Sequence, residues 1–444
     1  MREAVAAIFS CGEQLYSIRR QTTLRAFPGY HAFPGGKIDE GDESISVDHA
    51  MLNEFPKEQT GALIREIREE LGFDIVLELG GLVKSVKFFA LTITPKTQKI
   101  RFRLHVYRIE LSELVEFTPD INELEYGYWT SAQTLWEQFE RGEGLMVNTT
   151  SKMVKALAED IHCDFVDCRQ PELTDTLYMQ QPVNGVGIFM VPSNTLPPAT
   201  TTNALFIGDE GSPRILTDPS PKNQEVFNKL LNTLRDKPPT ALLLTHQHPD
   251  HHERLPELAK TLDIPVLCTE ITYHYVQQRF GGHYFKSTDI RFIQDGDVIT
   301  QWLGHPVICR SLPGHDEGMV GLAPDNMAWF YVADLVEAGT SVVIPEPEGN
   351  MQDYFDTLER TIALKPEVVI ASHGIAQGGT YLLESTLVHR QKREQQIAET
   401  YESGMTDETA LLDSLYPGLD AFLKPFAAQN IRQHLRKLGK INSN

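Results

Sequence analysis

Leu244-Thr245-His246-Gln247-His248-Pro249-Asp250-His251 completes the apolar run Ala241-Leu242-Leu243-Leu244. A short apolar run that ends in ligand-type side chains reads as a buried strand delivering them to a loop at its carboxyl end. His246, His248, Asp250 and His251 fall within six positions, close enough to serve two cations at once. Neutral imidazole and carboxylate suit zinc and, less selectively, manganese or iron. The bland alternative is a polar surface turn, but it requires these ligand types to gather at this spacing without a cause.

Working outward, further ligand-type residues stand at the ends of other apolar runs. Asp218 closes Arg214-Ile215-Leu216-Thr217 upstream. His315 follows Leu312-Pro313-Gly314, Asp334 follows Trp329-Phe330-Tyr331-Val332-Ala333, and His373 follows Val368-Val369-Ile370-Ala371-Ser372. Any one of them alone reads as a structural or surface group; their order is what carries weight. The pattern His-x-His-x-Asp-His with these later residues resembles the metallo-β-lactamase superfamily. That resemblance implies one metal on His246, His248 and His315, a second on Asp250, His251 and His373, and Asp334 bridging them, with Asp250 also counted among the catalytic groups. It implies two zinc ions, or manganese or iron. A metal lowers the pKa of its water from about 15.7 to about 7, which makes hydroxide available at neutral pH. Hydrolysis of a thioester, ester, lactam or phosphodiester would follow. A bridging aspartate resembles the glyoxalase-II and nuclease branches and argues against an antibiotic-degrading role.

A second constellation lies upstream: Phe33-Pro34-Gly35-Gly36-Lys37-Ile38-Asp39-Glu40-Gly41-Asp42, then Arg65-Glu66-Ile67-Arg68-Glu69-Glu70-Leu71-Gly72-Phe73. Ala62, Leu63, Ile64, Ile67 and Leu71 form a helical stripe that Gly72 ends. Glu66, Glu69 and Glu70 then share a face, where like charges call for a compensating cation. Carboxylate oxygens select magnesium or manganese. A bare Glu-x-x-Glu-Glu is more often a solvated acidic face. The paired segments, however, resemble the Nudix box, which implies metal binding by Glu66, Glu69 and Glu70 and catalysis by Glu66 and Glu69. The first half departs from the family: the glutamate position falls on Asp42, and 22 residues separate it from Arg65 where the family has seven. The inserted stretch, roughly 44–60, reads as a loop excursion. Arg19, Arg20 and Arg25, just before the box, resemble an extra motif of Nudix coenzyme A diphosphatases and stand as candidate substrate-binding cations; an ordinary basic patch is the plainer alternative.

Composition fits these readings. The 444 residues are 41% hydrophobic and 23% charged, with a formal net charge of −21, which opposes general affinity for duplex nucleic acid. No apolar run approaches the ~20 residues of a membrane span. Five scattered cysteines suggest a reducing compartment, and a cytoplasmic location is expected. The expected architecture is α/β and multidomain: a Nudix α/β/α sandwich over 1–163, a linker over 164–182, a metallo-β-lactamase αββα sandwich over 183–380, and a small winged-helix-like helical cap over 381–444. In the first domain, strand-like runs 82–94 and 100–111 are separated by a turn at Pro95-Lys96-Thr97. The basic cluster Arg432, His434, Arg436, Lys437 and Lys440 reads as a charged helix end or, more sharply, as an RNA contact. The expected substrates are small molecules, a nucleoside diphosphate derivative such as coenzyme A and a thioester. Single-stranded RNA, cut by the second half with the Nudix half as a nucleotide-binding regulator, is the alternative.

Overall fold

The computed structural model describes residues 1–94, 101–169 and 173–442. The chain divides into two compact units, one of residues 1–174 with 180–184, the other of 175–179 with 185–444. The turn expected at Pro95-Lys96-Thr97 lies outside the described residues.

The first unit is built on one mixed sheet. Its strands lie in the order His31–Ala32, Gln14–Arg20, Arg2–Cys11, Phe102–Leu111, Val83–Ile93 and Val166–Arg169, and Leu124–Ser131 also pairs with Gln14–Arg20. Successive strand residues point to opposite faces, and the first strand uses both. Val5, Ala7 and Phe9 pack with Ile64, Ile67 and Leu71 of the helix Lys57–Leu71. Ala6 and Ile8 pack instead with Leu135, Phe139, Met153 and Leu157, from the helices Ala132–Glu140 and Asn148–Glu159. A sheet with helices on both faces results. Two details differ from the expected layout. The helix begins at Lys57, so the last residues of the inserted stretch are helical rather than loop. The stretch read as a linker contains two strands: Val166–Arg169, which pairs in parallel with Val83–Ile93, and Met179–Val183, which overlaps its end.

In the second unit, strands Ile290–Phe292, Val266–Cys268, Ala241–Leu243, Ile215–Thr217, Thr201–Ile207 and Val186–Pro192 lie side by side. Ala241–Leu243 sits between parallel neighbours, and parallel strands buried on both faces are continuously apolar. Helices Gln224–Leu234 and Leu255–Leu262 cover this sheet through Phe227, Leu230, Leu255 and Leu258. A second sheet runs Val298–Trp302, His305–Ser311, Val320–Pro324, Phe330–Tyr331, Val368–Ile370, Gln377–Gly378. Three helices close the unit: Tyr381–Glu402, Glu408–Leu415 and Lys424–Lys437, joined through Ile397, Leu411, Ile431 and Leu435. The expected wing does not form, because no strand occurs among the described residues of this cap. No helix of the described residues is long and apolar enough to cross a membrane.

Candidate metal centre and carboxylate helix

The ends of strands from both sheets bring the ligand-type residues of the second unit together. His246, His248, His315 and Asp334 form one group and Asp250, His251 and His373 another, with the ligand atoms of each group within 4.8 Å of one another. Local sequence explains how each is aimed. His248 precedes a short helix that opens on Pro249 and carries Asp250 and His251. Gly314, at φ 132, lets the chain before His315 pass against the backbone of Tyr354, where a β-carbon would collide. Ala333 holds a left-handed φ of 48 immediately before Asp334, a strained conformation of the kind that gathers at functional sites.

The hydrogen bonds fix which nitrogen of each imidazole is available. His315 Nδ1 donates to the carbonyl of Val343 at 2.7 Å, and His373 Nδ1 to that of Thr201 at 2.8 Å. His251 Nδ1 donates to Asp218 at 3.1 Å, and His248 Nε2 to Glu348 at 3.3 Å. Thr245 Oγ1 gives its proton to Asp218 at 2.7 Å and so accepts from His246 Nδ1 at 3.0 Å. In the neutral imidazoles that these bonds select, every remaining nitrogen is an acceptor facing inward. His248 Nδ1 lies 3.0 Å from His246 Nε2 and 2.8 Å from His315 Nε2, so three lone pairs converge with no proton to share. His251 Nε2 and Asp334 Oδ1 are buried without a hydrogen-bond partner among the described residues. Such a set fits divalent metal ions and little else.

Asp334 lies between the two groups. Its Oδ2 is 3.8 Å from His246 Nε2, 3.7 Å from His315 Nε2 and 3.4 Å from His251 Nε2, while Oδ1 is 3.7 Å from His373 Nε2. Electrostatics agree with the hydrogen bonds. Burial holds His246 well below the usual imidazole range and lowers His315 to about 4, which keeps both neutral, the form that ligates. Burial also opposes charge on His251, yet Asp334, Asp250 and Asp218 outweigh it and raise that imidazole well above the usual range. The carboxylates therefore call for positive charge at this point.

Asp218 stands outside both ligand groups. It is fully buried and accepts from Thr245 N at 2.9 Å and Tyr331 Oη at 3.0 Å as well as from Thr245 Oγ1 and His251. It orients the ligands from behind. Thr245, Tyr331, Glu348 and the Val343 carbonyl went unread in sequence. Thr245 lies inside the decisive stretch, while Glu348 and Val343 have no motif around them.

In the first unit the arrangement is looser. Arg65 donates to Asp42 through Nε at 2.8 Å and Nη2 at 3.1 Å, to Glu66 at 2.8 Å and to Glu69 at 3.1 Å. Asp42, buried and one methylene short, thus still reaches the arginine of the helix across the insertion. Glu70 accepts from Gly35 N at 2.9 Å, and a β-carbon at Gly36 would strike the Glu66 carboxylate, which explains the glycine pair. Burial raises Glu66 and lifts Glu70 to about 8, and Glu123, not singled out in sequence, adds to both. Glu69 is exposed over 61% of its side chain. Glu66, Glu69 and Glu70 are not gathered as the histidine groups are. The three arginines also part company. Arg19 and Arg20 are strand neighbours with different partners: Arg19 pairs with Glu125 at 3.0 Å and the charge of Arg20 is felt by Glu70, while Arg25 is exposed.

Comparison with known proteins finds a family match in each half of the chain. Residues 1–146 match the model of the NUDIX domain, and residues 197–373 match that of the metallo-beta-lactamase superfamily. The chain is a NUDIX domain followed by a metallo-beta-lactamase domain. Both are hydrolase domains. A beta-lactamase domain protein from Burkholderia ambifaria is 18% identical, with TM-score 0.50 over 60% of this chain and 90% of its own. A metallo-beta-lactamase family protein from Thermus thermophilus is 17% identical, with TM-score 0.47 over 59% and 96%. A NUDIX hydrolase from Alicyclobacillus acidocaldarius is 21% identical, with TM-score 0.31 over 36% and 91%. No curated protein matches.

Proposed function

We propose that the chain is a bifunctional metal-dependent hydrolase acting on coenzyme A derivatives. The NUDIX domain opens the diphosphate linkage: water adds across P–O–P and leaves two phosphate monoesters. The metallo-beta-lactamase domain opens a thioester or similar ester: water adds across the acyl C–S bond and leaves a carboxylate and a thiol. The observation that carries this reading is the convergence of His246 Nε2, His248 Nδ1 and His315 Nε2 as bare acceptors beside Asp334. Zinc, manganese or iron would be held by His246, His248 and His315 and by Asp250, His251 and His373, with Asp334 between. Magnesium or manganese would be held by Glu66, Glu69 and Glu70. Bound metals would supply a polarised electrophile and an acidified water.

The chain's own residues do the positioning. Asp218 locks the tautomers of His251 and, through Thr245, of His246. In the NUDIX domain, the exposed Glu69 is the carboxylate with most freedom to accept a proton from water, and Arg20 is the cation best sited for a phosphate oxygen. Ribonuclease action draws no support from the basic cap, because its cations are already paired. Arg432 reaches Glu346 and Glu408, Arg436 reaches Glu346, Lys437 reaches Glu394 and Lys440 reaches Glu402. Purified protein with zinc and magnesium, given acetyl-coenzyme A and a short single-stranded RNA in parallel, tests the proposal by mass spectrometry. Release of free coenzyme A and of phosphopantetheine species is expected; RNA fragments with an intact thioester would overturn it.

A further inference from the structure

Two imidazoles of the first ligand group, His248 and His315, are backed by a different part of the domain from the one that holds His246, through Thr245 and Asp218, and the second group. His251 and His373 lean on Asp218 and on the carbonyl of Thr201, at the ends of strands in the first sheet of that domain. Thr202 Oγ1 holds the carbonyl of Asp250 at 2.8 Å from the same sheet. His248 and His315 lean instead on Glu348 and on the Val343 carbonyl, both in the segment 342–350, which has no helix or strand of its own.

An irregular segment must find outside partners for the backbone groups that it takes out of water, here around the buried Val342 and Ile344. Here the helical cap provides them. Asn430 Oδ1 accepts from Ile344 N at 2.8 Å, and Asn430 Nδ2 donates to the Val342 carbonyl at 3.4 Å. Gln433 Nε2 donates to the carbonyls of Pro345 at 3.2 Å and Gly349 at 2.9 Å. Arg390 reaches the Val342 carbonyl, and Arg432 and Arg436 both grip Glu346. Asn430 and Gln433 are buried polar side chains with no role in the cap's own apolar core. Their bonds run to the segment, and the segment's bonds run to two imidazoles.

We infer that the carboxy-terminal helix Lys424–Lys437 is a positioning element of the metal centre, which sets the affinity of the His246/His248/His315 group through segment 342–350 and leaves the Asp250/His251/His373 group to the sheet. Asn430, Gln433 and Glu348 are positioning residues. The inference rests on the metal-centre reading and adds an asymmetry that reading does not contain.

The experiment counts metal, so it is independent of any substrate. Full-length protein and the variants Asn430→Ala, Gln433→Ala and their double are loaded with zinc and dialysed against graded chelator. Zinc per chain, the visible spectrum of the cobalt(II)-substituted protein and the thermal midpoint are then read. The double variant is expected to release one of two zinc ions at chelator concentrations about 10–100-fold lower than wild type, the range for outer-shell losses at metal sites. The second ion and the helix content should be retained. Glu348→Ala removes the acceptor of His248 Nε2 and so cuts the same chain at its metal end, leaves the cap's grip intact, and should show the same single-ion loss. Wild-type retention of both ions in the variants, or simultaneous loss of both, overturns the inference. Wild-type protein that retains no zinc would instead sink the metal-centre reading beneath it.

Discussion

In the metallo-beta-lactamase domain, five imidazoles and two carboxylates meet with their inward nitrogens bare, whereas in the NUDIX domain three glutamates on one helix are shared out among other partners. The difference is chemical. An imidazole has two nitrogens, so the fold can spend one on Asp218, Glu348 or a carbonyl and aim the other with a known protonation state. A carboxylate has no such handle. The box helix quiets its own charges with Arg65, which serves as an internal counter-ion for Asp42, Glu66 and Glu69. The first centre is thus preorganised by the fold, and the second has to trade some arginine contacts for a cation. Metal should therefore leave the NUDIX domain far more readily on dialysis.

Substitutions can break this comparison. The largest effect is expected from Glu69→Gln. Diphosphate cleavage should fall by about 10²–10⁴-fold, as for loss of a general base, while thioester cleavage continues, so that free, uncut coenzyme A accumulates. Undiminished phosphopantetheine release would remove Glu69 from catalysis, whereas no release even from the unaltered protein would leave the NUDIX half a binding module. Asp218→Ala comes next. It leaves four donors around a fully buried position without an acceptor and should destabilise the C-terminal unit by about 3–5 kcal/mol, the range for stripping one partner from a buried polar cluster. Urea melts read that directly, and a change below ~1 kcal/mol would contradict the hub role.

A third effect depends on pH. Burial first, then the neighbours Glu66 and Glu123, raise Glu70 from 4.5 to about 8, against the opposing hydrogen bond from Gly35. Between those values the folded form holds a proton that the unfolded chain has released, so stability is greatest below the window and is lost as pH rises through about 8. In chelator, the NUDIX unit should melt progressively earlier from pH 5 to pH 8, and Glu70→Gln should flatten the slope. A wild-type slope of opposite sign would refute the assignment. The smallest effect distinguishes two adjacent arginines: Arg20→Ala should raise KM for the diphosphate substrate several-fold, while Arg19→Ala, which loses only the pair with Glu125, should leave it unchanged.

Much of this was legible in the sequence because His246, Asp334 and His373 follow apolar runs that form buried strands with parallel neighbours, whose carboxyl ends lie together. The box helix was legible through Ala62, Leu63, Ile64, Ile67 and Leu71 for the same kind of reason. What escaped lacks periodicity or is too short to show it. Val166-Asp167-Cys168-Arg169 alternates buried and exposed over only four residues, too few to tell from a linker. Segment 342–350 has neither period, so Glu348 and Val343 gave no signal although they hold two ligands. Arg19, Arg20 and Arg25 looked like one patch because a motif groups residues by order, whereas the fold gives Arg19 to Glu125 and leaves the charge of Arg20 to Glu70.

The central claim is that two separate centres perform two separate hydrolyses. Its most direct test follows acetyl-coenzyme A by mass spectrometry with His248→Ala protein beside wild type, with zinc content measured on the same samples. The account predicts that zinc and thioester cleavage are lost together while the diphosphate is still cut, leaving acetylated phosphopantetheine. Thioester cleavage that persists with zinc unchanged would contradict it.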